Sequence, residues 1–244
     1  MDNSILIGTH AVHEALKDAR NIDQILIKKQ SDNEIIREII YLARKLNITV
    51  KTVPLEKLNS ISRKNHQGII AFSSPIEFSD LHNIIPELYE SGKNPFILIL
   101  DQVSDVRNFG AIIRSCECFG VDAVVIPQKG AAQINENAVK TSAGSLFKIP
   151  ICKVKSLSSS IEFLQNSGLS IISITEKSSQ KIYDSGLSNP IAVVMGSEET
   201  GISKNIIEMS DACVQIPMYG TISSLNVSVA AGITLYEISK QRHP

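Results

Sequence analysis

No stretch of the 244-residue chain approaches the roughly 18–20 consecutive apolar residues that span a bilayer, so a transmembrane helix is not expected. Residues 1–8 lack a basic segment followed by a long apolar one, so no secretory signal is expected and the cytoplasm is the default compartment. Cysteine is scarce, with four residues at 116, 118, 152 and 213. Cys116 and Cys118 are two apart, which points them to different sides of a helix, and no second Cys or His pair completes a zinc spacing. Four free thiols, buried as small hydrophobes, and no metal are the expectation. No tract of consecutive basic residues forms a tail, and the formal net charge is −1. Composition therefore carries no footprint of phosphate binding. Residues 1–78 hold 11 Lys and Arg against 9 Asp and Glu, and the rest holds 13 against 16. Neither G-x-G-x-x-G nor G-x-x-x-x-G-K-[ST] occurs, which disfavours ordinary Rossmann dehydrogenases and methyltransferases and P-loop enzymes.

What is present is a chain with 43% hydrophobic and 20% charged residues, the balance of a folded protein long enough for two compact domains. Thr9 is placed to cap a short helix carrying Ala11, Val12, Ala15 and Leu16. Strands are predicted over 22–27, 48–53 and 68–72. Between the first two, Asp32 sits where an N-cap belongs, ahead of a wide apolar stripe from Ile35 to Leu46. Pro54 suits the first turn of a helix holding Leu55, Leu58 and Ile61. Residues 1–73 thus read as a small α/β domain, and 74–93 as a linker and connecting helix. From 94 to 244, strands predicted near 96–100, 123–126, 149–152, 169–174, 191–195 and 213–216 alternate mostly with helices. That pattern implies a parallel sheet with helices on both faces.

Three polar stretches carry chemistry. In Asn108-Phe-Gly-Ala-Ile-Ile-Arg114, Asn108 is a candidate helix cap. Gly110 and Ala111 share a helical face with Arg114, which lets another backbone or a ligand approach. The apolar neighbours Ile112 and Ile113 predict a buried helix, on which Arg114 needs a partner. In Val193-Val-Met-Gly-Ser-Glu-Glu-Thr-Gly-Ile202, a buried strand ends at Gly196, where backbone N–H groups can meet a ligand at the carboxyl end of a sheet. The adjacent Glu198 and Glu199 read first as an exposed acidic pair, since neighbours in sequence rarely converge on one substrate. In the third stretch, 216–234, Ser223, Ser224 and Asn226 gather where a loop enters a helix. One cap needs one such residue; three suggest a polar pocket.

In this order and spacing, N-x-G-x-x-x-R, V-M-G-S-E and I-P-M…S-S-L-N-V-S-V-A resemble the three motifs of the SpoU (TrmH) family of RNA ribose 2′-O-methyltransferases, over about residues 94–242. Gly8-Thr-His-Ala-Val12 and Asn65-His-Gln-Gly-Ile69 resemble the L30e-like RNA-binding domain of the RlmB-type members, which modify 23S rRNA. The resemblance implies a parallel-sheet domain with a C-terminal trefoil knot and S-adenosylmethionine as methyl donor, bound by Gly196, Ile216 and Leu225 with Thr141 and Gly144 nearby. It further implies a homodimer whose active site lies at the subunit interface. Arg114, Asn108, Glu198, Ser224 and Asn226 are the implied catalytic residues, acting on the 2′-hydroxyl of a guanosine in 23S rRNA. A guanidinium with a pKa above about 12 stays charged, so Arg114 is expected to position the hydroxyl or a phosphate, with Glu198 and Asn226 fixing it. Lys28, Lys29, Arg63 and Lys64, with His10, His13 and His66, are candidate RNA contacts. Three rival readings are a relative acting on tRNA or another rRNA position, a non-catalytic RNA-binding paralogue, and a small-molecule methyltransferase.

Overall fold

A computed structural model describes residues 5–18, 20–31, 33–222 and 224–243. They form two compact units, one of residues 1–77 with 133–136, the other of 78–132 and 137–244.

The first unit is a four-stranded mixed sheet in the order β1-β4-β2-β3. β2 (Ile22–Lys28) and β3 (Thr49–Val53) run parallel, joined by α2 (Glu34–Lys45). β4 (Ile69–Ser73) is antiparallel to β2 and to β1 (Ile5–Ile7). Alternate side chains of β2 face opposite sides of the sheet. Ile25 and Ile27 pack with α2 and α1 (Thr9–Lys17), while Leu26 packs with Ile70 and with Leu58 of α3 (Leu55–Ile61). Two expected caps are displaced. Thr9 is the first helical residue and Gly8 the cap; the backbone N and Oγ1 of Thr9 both donate to Gln67 Oε1, at 3.0 and 2.8 Å. Asp32 lies outside the described residues, and Asn33 caps α2 by accepting from Ile36 N at 2.9 Å.

The second unit is built on six strands, all parallel, in the order β10-β8-β9-β5-β6-β7. These are β5 (Phe96–Asp101), β6 (Ala123–Pro127), β7 (Ile151–Val154), β8 (Ser170–Ile174), β9 (Ile191–Gly196) and β10 (Ala212–Val214). Near-continuous apolar runs such as Phe96–Leu100 suit strands covered on both faces. Ile97, Ile99, Ala192 and Val194 pack against α4 (Leu81–Glu90), α7 (Leu157–Asn166) and α8 (Lys204–Met209). On the other side lie α5 (Val106–Cys118) and α9 (Val227–Arg242), which contact each other, with α9 also reaching β9. A short α6 (Glu136–Thr141) precedes a 3-10 turn at Ser145–Phe147.

β10 has neighbours on both sides. Toward β8, Thr175 N donates to Val214 O at 2.9 Å. On the opposite side, Gln215 N donates to Gln180 O at 2.8 Å and Ile182 N to Gln215 O at 2.9 Å. The segment leaving β8 therefore passes around the end of β10 and borders it from outside. Among the described residues, no helix is long and apolar enough to cross a membrane.

Candidate active site

The site is assembled at the carboxyl ends of β8 and β9. After Gly196 the chain folds back on itself: Gly201 N donates to Ser197 O at 2.9 Å, and Thr200 N to Ser197 Oγ at 3.2 Å. A Cβ on Gly196 would lie 2.1 Å from the carbonyl carbon of Gly201 and 2.3 Å from Ile202 N, so glycine is required here by the returning backbone. Next to it in register, the buried Asp101 accepts from Ser203 N at 2.7 Å and fixes the start of α8.

A pocket of about 370 Å³ opens beside this loop. Its apolar lining comes from Met195, Ile202, Ile216, Met218 and Leu225, and its charged lining from Glu176, Lys177, Glu198 and Glu199. Gly196 and Ser224 also border it, whereas Ser223 lies outside the described residues. Residues 174–177 escaped the motif reading, although their position after a strand is where ligand-binding residues of open α/β sheets gather. That strand-end rule is the signal that points to them.

Asn226 ties the three polar stretches together. Its Oδ1 caps α9, accepting from Ser228 N at 2.9 Å and Val229 N at 3.4 Å. That orientation turns Nδ2 toward Glu198 Oε1, to which it donates, and toward Asn108 Oδ1 at 3.2 Å. Glu198 Oε1 also accepts from Val227 N at 3.1 Å. Glu198 is thus held at a helix N-terminus, where a carboxylate is favoured. Glu199 lines the pocket beside it.

Asn108 is not the helix cap it was expected to be. Asp105 caps α5, accepting from Arg107 N and Asn108 N, both at 2.9 Å. Asn108 lies one turn inside, which frees its side chain for Asn226. Arg114 also departs from expectation. Phe109, Gly110, Ile112, Ile113 and Cys116 form the buried face of α5, and Arg114 falls on the exposed side with Arg107. Among the described residues its guanidinium has no ion-pair partner, so Glu198 and Asn226 do not hold it within this chain. Gly110 does admit a neighbour, since a Cβ there would lie 1.8 Å from Thr141 Oγ1. Thr141 donates to Asn137 O at 2.8 Å, and Gly144 opens the 3-10 turn with φ +83°. Neither borders the pocket.

In the first unit the two N-terminal sequence stretches meet. Gly8 N donates to Ile69 O at 3.3 Å, beside the Gln67–Thr9 bonds. Lys28 N donates to Gly68 O at 2.8 Å, which sets the exposed Lys28 and Lys29 next to the turn that follows the exposed Arg63 and Lys64. His10 is exposed. His13 and His66 are buried, contrary to a role in surface contact: His13 Nε2 lies 3.0 Å from Glu38 Oε2, and His66 bridges Asn59 Oδ1 and Gly68 N at 2.9 and 3.1 Å. The thiols divide as well. Cys116 and Cys152 are buried, but Cys118 is exposed and Cys213 partly so. Burial pushes the Cys152 thiol up to about 12 and raises that of Cys116, which leaves both unreactive at neutral pH.

Residues 95–236 match the model of the SpoU rRNA Methylase family. Residues 5–79 match that of the RNA 2′-O ribose methyltransferase substrate-binding domain. A Staphylococcus saprophyticus protein named for the TrmH family of tRNA/rRNA methyltransferases is 33% identical over 243 residues, spanning 100% of this chain and 98% of its own. Among solved structures, the SpoU methyltransferase AviRb of Streptomyces viridochromogenes, crystallised with AdoMet, superposes with a TM-score of 0.62 at 22% identity, over 98% of this chain and 90% of that one. The TrmH/SpoU tRNA modifying enzyme of A. aeolicus gives 0.56 at 31% identity, over 66% and 84% of the two chains.

Proposed function

The chain belongs to the SpoU rRNA methylase family and is an RNA ribose 2′-O-methyltransferase, and from that premise we propose that it methylates the 2′-hydroxyl of a guanosine in 23S rRNA, with S-adenosylmethionine as donor. The observation that carries this reading is the convergence on Asn226, where residues 108, 198 and 226 from three separate motifs join through hydrogen bonds beside the pocket that Glu198 lines.

The pocket fits the donor. Its volume falls within the roughly 300–1,000 Å³ of small-molecule sites, and its apolar walls suit an adenine ring. Glu176, Glu198 and Glu199 oppose the positive charge of a sulfonium and an amino group. When bound, the donor supplies an electrophilic methyl group. Gly196, Ile216 and Leu225 hold it, largely through backbone groups. Asn226, braced by its cap, orients Glu198 and Asn108 toward the nucleotide, and Ser224 adds a hydroxyl at the mouth. Much of the rate in an in-line displacement comes from such orientation. Arg114, charged at any working pH, positions the ribose hydroxyl or its neighbouring phosphate.

Arg114 is exposed and unpaired among the described residues, which fits a residue completing a site across a homodimer interface. Val229, Ile233 and Tyr236 give α9 an exposed apolar face at helical spacing, and a second copy of the chain covers it. The trefoil knot of the family is in keeping with the bordering of β10 from both sides. Lys28, Lys29, Arg63 and Lys64 supply phosphate contacts from the first unit, whose residues 5–79 match a substrate-binding domain of RNA 2′-O ribose methyltransferases.

Transfer of tritiated methyl from S-adenosylmethionine into unmodified 23S rRNA fragments and into unmodified tRNA tests the choice of substrate. Label confined to a guanosine ribose of 23S rRNA is expected. Label in tRNA alone, or in no RNA, overturns the proposal.

A further inference from the structure

The loop that follows the pocket residue Met218 carries two large side chains that no described residue covers. Tyr219 is 88% exposed and Ile222 77%. Large aromatic surface left in water beside a ligand pocket marks a place where something binds. A second tyrosine stands close by. The pairing of Gln180–Ile182 with Gln215 draws the 178–183 segment alongside the start of this loop. It presents the exposed Tyr183 with Lys181 Nζ 5.7 Å from its ring centroid. The Lys181 ammonium is near enough to both phenols for Tyr183 first, and then Tyr219, to raise its pKa. Lys177, at the pocket wall, adds a further exposed cation, while Asp184 and Glu176 keep the patch from being uniformly basic.

We propose that Tyr219 and Tyr183, with Lys181 beside them, form a stacking platform for an unpaired nucleobase of the RNA, next to the nucleotide whose 2′-hydroxyl is methylated. The inference rests on the reading of this chain as an RNA methyltransferase. The chemistry favours single-stranded RNA over another protein or a duplex. A flat aromatic face accepts any base, and an ammonium close to the ring meets the phosphate that follows it. Duplex RNA offers no free base face. The patch therefore selects substrates whose target lies in a loop or bulge, and it sets affinity for RNA without touching the methyl donor.

The chain contains no tryptophan, so Tyr219→Trp places a single reporter on the platform. Stacking is expected to quench its emission when a short unstructured oligoadenylate is added, and S-adenosylhomocysteine alone is expected to leave it unchanged. Tyr219→Ala is expected to raise the KM for 23S rRNA fragments roughly tenfold, with kcat, the KM for S-adenosylmethionine and the oligomeric state unaltered. Lys181→Gln is expected to lower the salt slope of oligoadenylate binding by roughly 0.7, the mark of one lost single-strand phosphate contact. Quenching by S-adenosylhomocysteine alone would assign Tyr219 to the donor site, and a changed oligomeric state in Tyr219→Ala would assign it to an interface. Either result overturns the proposal, as does an unchanged KM for RNA. If the wild-type enzyme methylates no RNA, the functional reading falls, and oligoadenylate quenching still decides whether the platform binds a base.

Discussion

At the scale of single residues, Asn226 performs two tasks with the two ends of one amide. Its oxygen terminates α9 and its nitrogen braces Glu198 and Asn108. Asn226→Asp separates these tasks, because the cap survives while a second carboxylate is set against Glu198. The variant is expected to lose on the order of 1–3 kcal/mol at neutral pH, and most of its methyl transfer. Two close carboxylates hold a first proton more tightly than the unfolded chain does. The deficit is therefore fully present above the pH at which the folded pair takes up that proton, and it shrinks as the pH falls. Thermal melts of wild type and variant from neutral to mildly acidic pH check the sign; a gap that widens on acidification would show that the carboxylates do not face each other. The sequence placed Asn226 at a loop–helix junction. Its bond to Asn108, 118 residues away, is a tertiary fact that no local spacing carries.

Elements were more legible than their caps. The parallel sheet could be read from the alternation of buried strands with helices, and the connecting helix expected within 74–93 is α4 (Leu81–Glu90). β1 was not legible: its three half-buried residues show no alternation, and it forms only because β4 offers an edge. At α5 the sequence offers two Asx residues three apart, Asp105 and Asn108. Local chemistry ranks them alike, and the distant Asn226 breaks the tie by recruiting Asn108. Arg114 is exposed where a buried position is expected, because at 100° per residue Ile112 and Ile113 bury only one side of α5. At α1 the cap residue Gly8 has no side chain to accept from the first turn, and Gln67 arrives from 58 residues away to accept from Thr9 instead. Gln67→Ala removes that acceptor and is expected to cost about 1 kcal/mol. Denaturant unfolding should register the loss, together with faster amide exchange at Thr9 and His10. Exchange at Thr9 as slow as in wild type would show that Gln67 does not hold the Thr9 amide.

For the molecule as a whole, the apolar face of α9 has the largest consequence. Val229, Ile233 and Tyr236 are exposed in a single chain, and in the homodimer proposed above their burial would recover hydrophobic free energy at roughly 25 cal/mol per Å². Ile233→Asp is expected to yield monomers by sedimentation, with methyl transfer lost and the far-ultraviolet circular dichroism kept. An active monomer would show that Arg114 serves its own chain. The other feature of whole-chain consequence is the bordering of β10. Both flanks of that strand, 170–175 and 180–182, precede it in sequence, so a ribosome delivers the two walls of the slot before the residues that fill it. Ala212–Gln215 thus lie between two segments made before them, and the pocket residues Ile216 and Met218 follow directly behind the enclosed strand.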